Sequence, residues 1–211
     1  MSRLETTLQT MRAAIRDFDL LGHPFYQAWS AGRLPVEALA TYAREYGAFI
    51  AVLDCGWTTL AELQGAATER RHAELWSDFA RALNTAVVAS PRIDAVRALV
   101  DEAIQSFATP ASAAGALYAF EVQQPSTAHS KLVGLGAHYA WLPPGVRPYF
   151  QAHSDETGEE ALLERKLAKM TDADQVRAAA ACERMSRALW DALTGIQSVY
   201  ACTQGEFAAD C

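Results

Sequence analysis

Glu69 and His72 stand three residues apart in Glu69-Arg-Arg-His72-Ala-Glu-Leu-Trp76, a spacing that puts both side chains on one face of a helix. Glu62 lies one heptad before Glu69 and can lean to the same side. Further on, His153 opens a second run in which Glu156 and Glu160 follow at three and seven residues. Between the two runs, Glu121 sits on an otherwise apolar stretch, Leu117-Tyr-Ala-Phe-Glu-Val-Gln-Gln-Pro125. Carboxylate–histidine pairs at helical spacing on several helices, with an extra glutamate, are a recurrent way for a bundle to hold two irons or manganeses. Such oxygen and nitrogen ligands suit Fe(II) or Mn(II) and leave positions open for dioxygen. Acidic residues are common on solvated helix faces, so a single Glu-x-x-His carries little weight; the recurrence on several helices is what points to a metal.

Pro125 follows Glu121 by four residues. It cannot donate the hydrogen bond that the Glu121 carbonyl would accept in a regular helix, and its ring pushes against that carbonyl. The helix is therefore predicted to loosen at the carboxylate, which opens backbone and space beside it. The bland alternative is a surface glutamate next to an ordinary proline kink. Lys131, on the helix after Pro125, either snorkels to solvent or faces a cavity. His23, before a proline in a helix-ending turn, reads as structural. His129 and His138 have no carboxylate at helical spacing and read as hydrogen-bonded or exposed. The five tryptophans read as core and rim.

These residues need a helical framework, and the composition supplies one. Ala, Leu, Glu, Arg and Gln dominate, and almost no stretch alternates with period two. Helices are predicted over about 4–21, 35–64 (broken at Gly65), 68–83, 91–107, the Glu121 stretch to about Gly136, 147–170 and 171–200. Seven helices with short links make one all-α bundle of 211 residues, a single domain over 1–211 with a loose tail over 203–211. A net charge of −7 and the lack of any Lys/Arg run argue against nucleic acid as a partner. No apolar run reaches the length of a membrane span, and the first residues lack the apolar core of a secretory signal. Four scattered cysteines without a Cys-x-x-Cys pair fit reduced, cytoplasmic thiols.

Several stretches resemble one superfamily. Gly22-His-Pro-Phe-Tyr-Gln-Ala-Trp-Ser-Ala-Gly-Arg-Leu-Pro35 and Ala40-Thr-Tyr-Ala-Arg-Glu-Tyr46 are similar to the first part of the TenA/PqqC/CADD superfamily. So are Gly115-Ala-Leu-Tyr-Ala-Phe-Glu-Val-Gln-Gln-Pro125, Lys131-Leu-Val-Gly-Leu135 and Tyr149-Phe-Gln-Ala-His153. The resemblance spans essentially the whole chain and implies a seven-helix heme-oxygenase-like bundle. It is nearest the diiron oxidases of this fold, including CADD, whose metals are held by an early Glu and His, a central Glu, and a His-x-x-x-Asp-x-x-His run. Carried over, His72, Glu121 and His153 fit directly. Glu69 or Glu62 supplies the early carboxylate. In the late run Thr157 stands where Asp is expected and Glu160 where the second His is expected, with Glu156 one residue from the first of these.

The resemblance therefore implies iron, Fe(II)/Fe(III), at one or two per chain, with manganese as an alternative and dioxygen as co-substrate. It implies an oxidase or oxygenase acting on a small, amino-acid-derived molecule. CADD-like enzymes make 4-aminobenzoate from one of their own tyrosines, with a lysine as nitrogen source, and Tyr26, Tyr42 and Lys131 fall on the matching positions. The alternative is a TenA-like enzyme or small-ligand-binding protein without metal. That branch relies on a nucleophilic cysteine, and no cysteine lies in the Glu121 helix. PqqC-like chemistry would need a basic, histidine-rich cavity that this sequence does not supply. The expected partner is a small-molecule substrate, with a homodimer as the default assembly.

Overall fold

Thr109-Pro110 starts the helix that the rest of the bundle surrounds. Thr109 Oγ1 accepts a hydrogen bond from the Ser112 amide at 3.4 Å, and Pro110 occupies the first turn, where no amide hydrogen is needed. From Ala113 to Glu121 every side chain of this helix is buried. A helix apolar on all sides belongs in the middle of a bundle.

In this computed structural model, residues 2–154 and 158–204 are described, the last four as backbone alone. Eleven α-helices and two 3₁₀ turns lie among the described residues, with no strand: α1 (Arg3–Asp17), α2 (Pro24–Ser30), α3 (Val36–Ile50), α4 (Leu53–Thr59), α5 (Leu63–Ala82), α6 (Asp94–Ser106), α7 (Pro110–Glu121), α8 (Gln124–His138), α9 (Pro148–Ser154), α10 (Glu159–Leu167) and α11 (Asp172–Gln204), with the 3₁₀ turns at Leu20–Gly22 and Pro144–Val146. The all-α class holds. The expected tail over 203–211 falls mostly outside the described residues, as do Glu156 and Thr157.

Seven helices become eleven because three of those expected are split and one short helix was not foreseen. The stretch from Pro35 turns at Ala51–Val52 into α3 and α4. The break after it comes at Ala61, whose φ of 58° is left-handed, and not at Gly65. Gly65 instead lies inside α5, where a Cβ would sit 3.0 Å from the Trp57 ring. The Glu121 helix parts into α7 and α8 at Val122–Gln123, and Pro125 falls in the first turn of α8. That is the loosening Pro125 predicts, carried through to a full break. The unforeseen α2 begins at Pro24, with His23 as its cap: Nδ1 accepts from the Phe25 amide at 3.0 Å.

α7 runs along α11, while α1 and α6 cover other faces of α11, and α5 packs on α3, α4 and α9. The α7–α11 contact is close enough to be backbone against backbone. A Cβ on Gly115 would lie 1.9 Å from the carbonyl oxygen of Ala178. Buried Glu45 fixes the link before α6, accepting from the amides of Arg92 at 2.7 Å and Ile93 at 3.3 Å, and pairing with Arg44 at 3.0 Å. No helix among the described residues is long and apolar enough to cross a membrane.

Because the neighbour at Gly115 is backbone rather than a side chain that can rotate away, Gly115→Ala must push α7 and α11 apart. It should destabilise the fold by about 3 kcal/mol, read as a lower urea midpoint with an unchanged denaturant slope.

Candidate metal centre

α5 and α9 meet at right distance for their inward side chains to share one space. Glu69 and His72 on α5 and His153 on α9 are all buried, and each offers a ligand atom within 4.8 Å of the others. Glu69 Oε1 lies 3.4 Å from His72 Nδ1. The His72 and His153 rings are 4.1 Å apart, centroid to centroid. His153 Nδ1 is 2.9 Å from the Tyr149 carbonyl oxygen. A carbonyl only accepts, so Nδ1 carries the proton and Nε2 keeps the lone pair. This backbone contact is the usual way a metal-binding histidine is held in tautomer and orientation.

The donor set fits a divalent cation. A carboxylate taken out of water beside two imidazoles costs free energy unless positive charge accompanies it. Tyr149 gives a second sign. Its ring lies 4.3 Å from that of His153 and 6.3 Å from that of His72, and its buried hydroxyl makes no hydrogen bond. Burial raises this phenol far above its ordinary pKa, and the neighbouring carboxylates Glu69 and Glu121 push the same way. It stays a neutral phenol with an orphaned polar atom beside the cluster.

Glu121, Glu62 and Glu160 fall outside that group of three among the described residues. Glu121, at the end of α7, is buried, and its Oε1 accepts from Trp57 Nε1 at 3.3 Å. It lines a cavity of about 420 Å³ with Pro125, Glu160 and Glu164. A smaller cavity of about 180 Å³ reaches Glu69 from the side of Trp57 and Gly65. Glu62 precedes α5 and forms an ion pair with Lys166, whose Nζ also donates to the Leu60 carbonyl at 3.0 Å. Glu160 is on α10, half exposed, with Arg12 Nη2 and the Tyr118 hydroxyl each at 3.2 Å. Glu156 lies outside the described residues.

Tyr26, Tyr42 and Lys131 form a second buried group. The two phenol oxygens are 2.9 Å apart. Lys131 Nζ sits 4.0 Å from the centroid of the Tyr26 ring, 5.7 Å from Tyr42 and 5.5 Å from Phe150. Lys131 is 4 % exposed, so of its two expected fates it takes the inward one. Desolvation lowers its pKa to about 7, against the pull of the rings for a cation. Aromatic packing fills the space between the two groups: Tyr149 stands edge-on to Trp76 at 4.6 Å, and Trp76 meets Tyr42 at 5.3 Å.

The remaining candidates are structural or peripheral. His23 is buried, caps α2, and its Nε2 lies 3.0 Å from Thr194 Oγ1; burial lowers its pKa to about 4. His129 and His138 are exposed. Trp29, Trp57 and Trp76 are core, whereas Trp141 is 70 % exposed. Cys55 is exposed beside Asp54, and Cys182 is buried with its thiol pushed up to about 12. Sequence reasoning passed over Tyr149 and Trp57 as participants. Tyr149 at four residues before His153 was the available signal; Trp57 had none, since its partner is 64 positions away.

No family model matches the chain. Three proteins named 4-aminobenzoate synthase resemble it. That of Chlamydia muridarum is 28% identical over 187 residues, 79% of each chain. That of Chlamydia trachomatis is 28% identical over 80% of this chain and 83% of its own. That of Nitrosomonas europaea is 26% identical over 92% of each. Among solved structures, a TenA homolog from Pseudomonas syringae superposes with a TM-score of 0.75 over 92% of each chain at 12% identity. A TenA homologue from P. horikoshii gives 0.67 over 95% of this chain and 99% of its own at 11%. Both share the fold.

The buried lysine has a cost that depends on pH. Its pKa is about 7 folded against 10.5 ordinarily, so between those values the unfolded chain holds the extra proton and stability rises with pH. Lys131→Met should therefore stabilise the fold at pH 7 by about 4 kcal/mol. Thermal unfolding across a pH series should show that gain shrinking as the pH approaches 10.5.

Proposed function

We infer that this chain, which belongs to the TenA/PqqC/CADD superfamily, is a metal-dependent oxidase that makes 4-aminobenzoate with dioxygen as oxidant. The observation that carries this reading is the buried Glu69–His72–His153 cluster, two imidazoles and a carboxylate converging on one space. Iron is the metal this set favours, with manganese as the alternative. When bound, the metal supplies Lewis acidity and one-electron chemistry toward dioxygen.

The chain's own residues supply the rest. His153 is oriented by its Nδ1–H bond to the Tyr149 carbonyl, and the burial of Glu69, His72 and His153 limits the water that reaches them. Lys131, with a pKa of about 7, is in large part a neutral amine at neutral pH and so can act as a nitrogen nucleophile. Tyr26 and Tyr42 stay neutral phenols because burial opposes their ionisation. The resemblance assigns the product's ring to a tyrosine of the chain and its nitrogen to a lysine. The 4.0 Å approach of Lys131 Nζ to the Tyr26 ring supports that assignment. Among the described residues Cys55 and Cys182 are free thiols, which suits a reducing, cytoplasmic setting.

The test is protein purified without oxygen, reloaded with Fe(II), then exposed to air, with 4-aminobenzoate read by mass spectrometry. Product should form in no more than stoichiometric amount with the chain and should vanish in Tyr26→Phe and in Lys131→Ala. Product made at the same level in a chelator, or by both Tyr26→Phe and Tyr42→Phe, would refute this reading. In the same protein, His153→Ala should lower retained iron at least about tenfold, measured by elemental analysis.

A further inference from the structure

We propose that Gly134 is a positioning residue: its missing side chain lets α8 lie close enough to α2 to hold Lys131 Nζ over the Tyr26 ring. The proposal rests on the reading above, in which the Lys131 amine and the Tyr26 ring supply the product. Tyr26 and Trp29 stand three residues apart on α2, and Lys131 and Gly134 three apart on α8. That spacing puts each pair on one helical face, about one turn apart. Lys131 meets Tyr26, with Nζ 4.0 Å from the ring centroid, and one turn on Gly134 meets Trp29. A Cβ on Gly134 would lie 2.9 Å from Trp29 Cδ1, 3.2 Å from the Trp29 carbonyl oxygen and 3.3 Å from Ser30 Cα. At the outer edge of the same seam, Ser30 Oγ and Ser130 Oγ are hydrogen-bonded at 2.8 Å.

Trp29 has little room to retreat. It is fully buried, stacked on Phe79 at 6.3 Å and edge-on to Tyr42 at 5.7 Å and Phe150 at 5.6 Å. Tyr42 and Phe150 also flank Lys131 Nζ, at 5.7 Å and 5.5 Å. An added atom at position 134 must therefore move α8 off α2, or drive Trp29 into the walls of the lysine's own pocket. Either way the amine leaves its place over Tyr26. The rings that face it are Tyr26 from α2, Tyr42 from α3 and Phe150 from α9, and burial keeps both phenols neutral. A looser seam readmits water to the amine, which then holds its proton to higher pH. A residue that served stability alone would change the amount of folded protein and not the pH at which the amine becomes neutral.

The experiment compares Gly134→Ala with the wild-type chain and with Gly136→Ala. Each protein is purified without oxygen, loaded with Fe(II) and exposed to air across a pH series. Gly136 lies on the same helix, but a Cβ there would meet nothing within 4 Å. Gly134→Ala should form 4-aminobenzoate about tenfold more slowly per bound iron, and the midpoint of its pH–rate profile should rise by about one unit. Gly136→Ala should match the wild-type chain in both. Ser130→Val, at the outer edge of the seam, should cause the same two changes to a smaller degree, and it serves as the test if Gly134→Ala does not fold. Wild-type rate and midpoint in the variant so tested would overturn the proposal and leave the oxidase standing. So would a slower rate with an unmoved midpoint, or an equal loss in Gly136→Ala. A wild-type chain that makes no 4-aminobenzoate would overturn both.

Discussion

Everything around the centre answers to one constraint, the expense of removing a carboxylate and two imidazoles from water. Glu69, His72 and His153 are each within a few per cent of full burial. Such a group persists in a bundle interior only where positive charge or hydrogen bonds replace the lost solvent. His153 is fixed through the Tyr149 carbonyl of its own helix, and Glu69 and His72 are fixed to each other by helical spacing on α5. Two rigid helices thus set the geometry of these three ligands among the described residues. Sites on helices hold their geometry more closely than sites on loops.

The chemistry divides between two buried groups joined by packed rings. One is anionic and imidazole-rich; the other is an amine over a phenol. Trp76 packs between Tyr149, edge-on to it, and Tyr42, with its indole N–H donated to the Ala43 carbonyl at 2.8 Å. That hydrogen bond lets a polar-edged ring sit fully inside the core. No carboxylate contributes to the shift of the Lys131 amine, whose pKa is set by desolvation. Dry, aromatic surroundings lower its pKa.

Much of the framework was legible in the chain. Proline at 110 and 125, and the cap at Thr109, follow from local chemistry. Where the expected boundaries failed, tertiary packing had overruled a local rule. Gly65 signals a break, yet it stays helical because the Trp57 ring needs the room that a missing Cβ leaves. Ala61 carries the break in its place, in a conformation that alanine adopts rarely, held by the Glu62–Lys166 pair beside it. The small residues of α7 read as helix formers. That Gly115 admits the backbone of α11 could not be read from them.

The sequence by itself determined the helical class, the recurrence of glutamate and histidine at helical spacing, and the loosening of the helix after Glu121, because each depends on residues within a turn or two. Only the tertiary structure decided which glutamate accompanies His72, that Glu62 and Glu160 are engaged by Lys166, Arg12 and Tyr118, and that Lys131 points inward over Tyr26. Apart from the Glu69–His72 pair, which lies within one helical turn, those outcomes turn on partners 42 to 148 positions away. A carboxylate's role is set by the charge it meets in space, and no local pattern in the chain records that meeting.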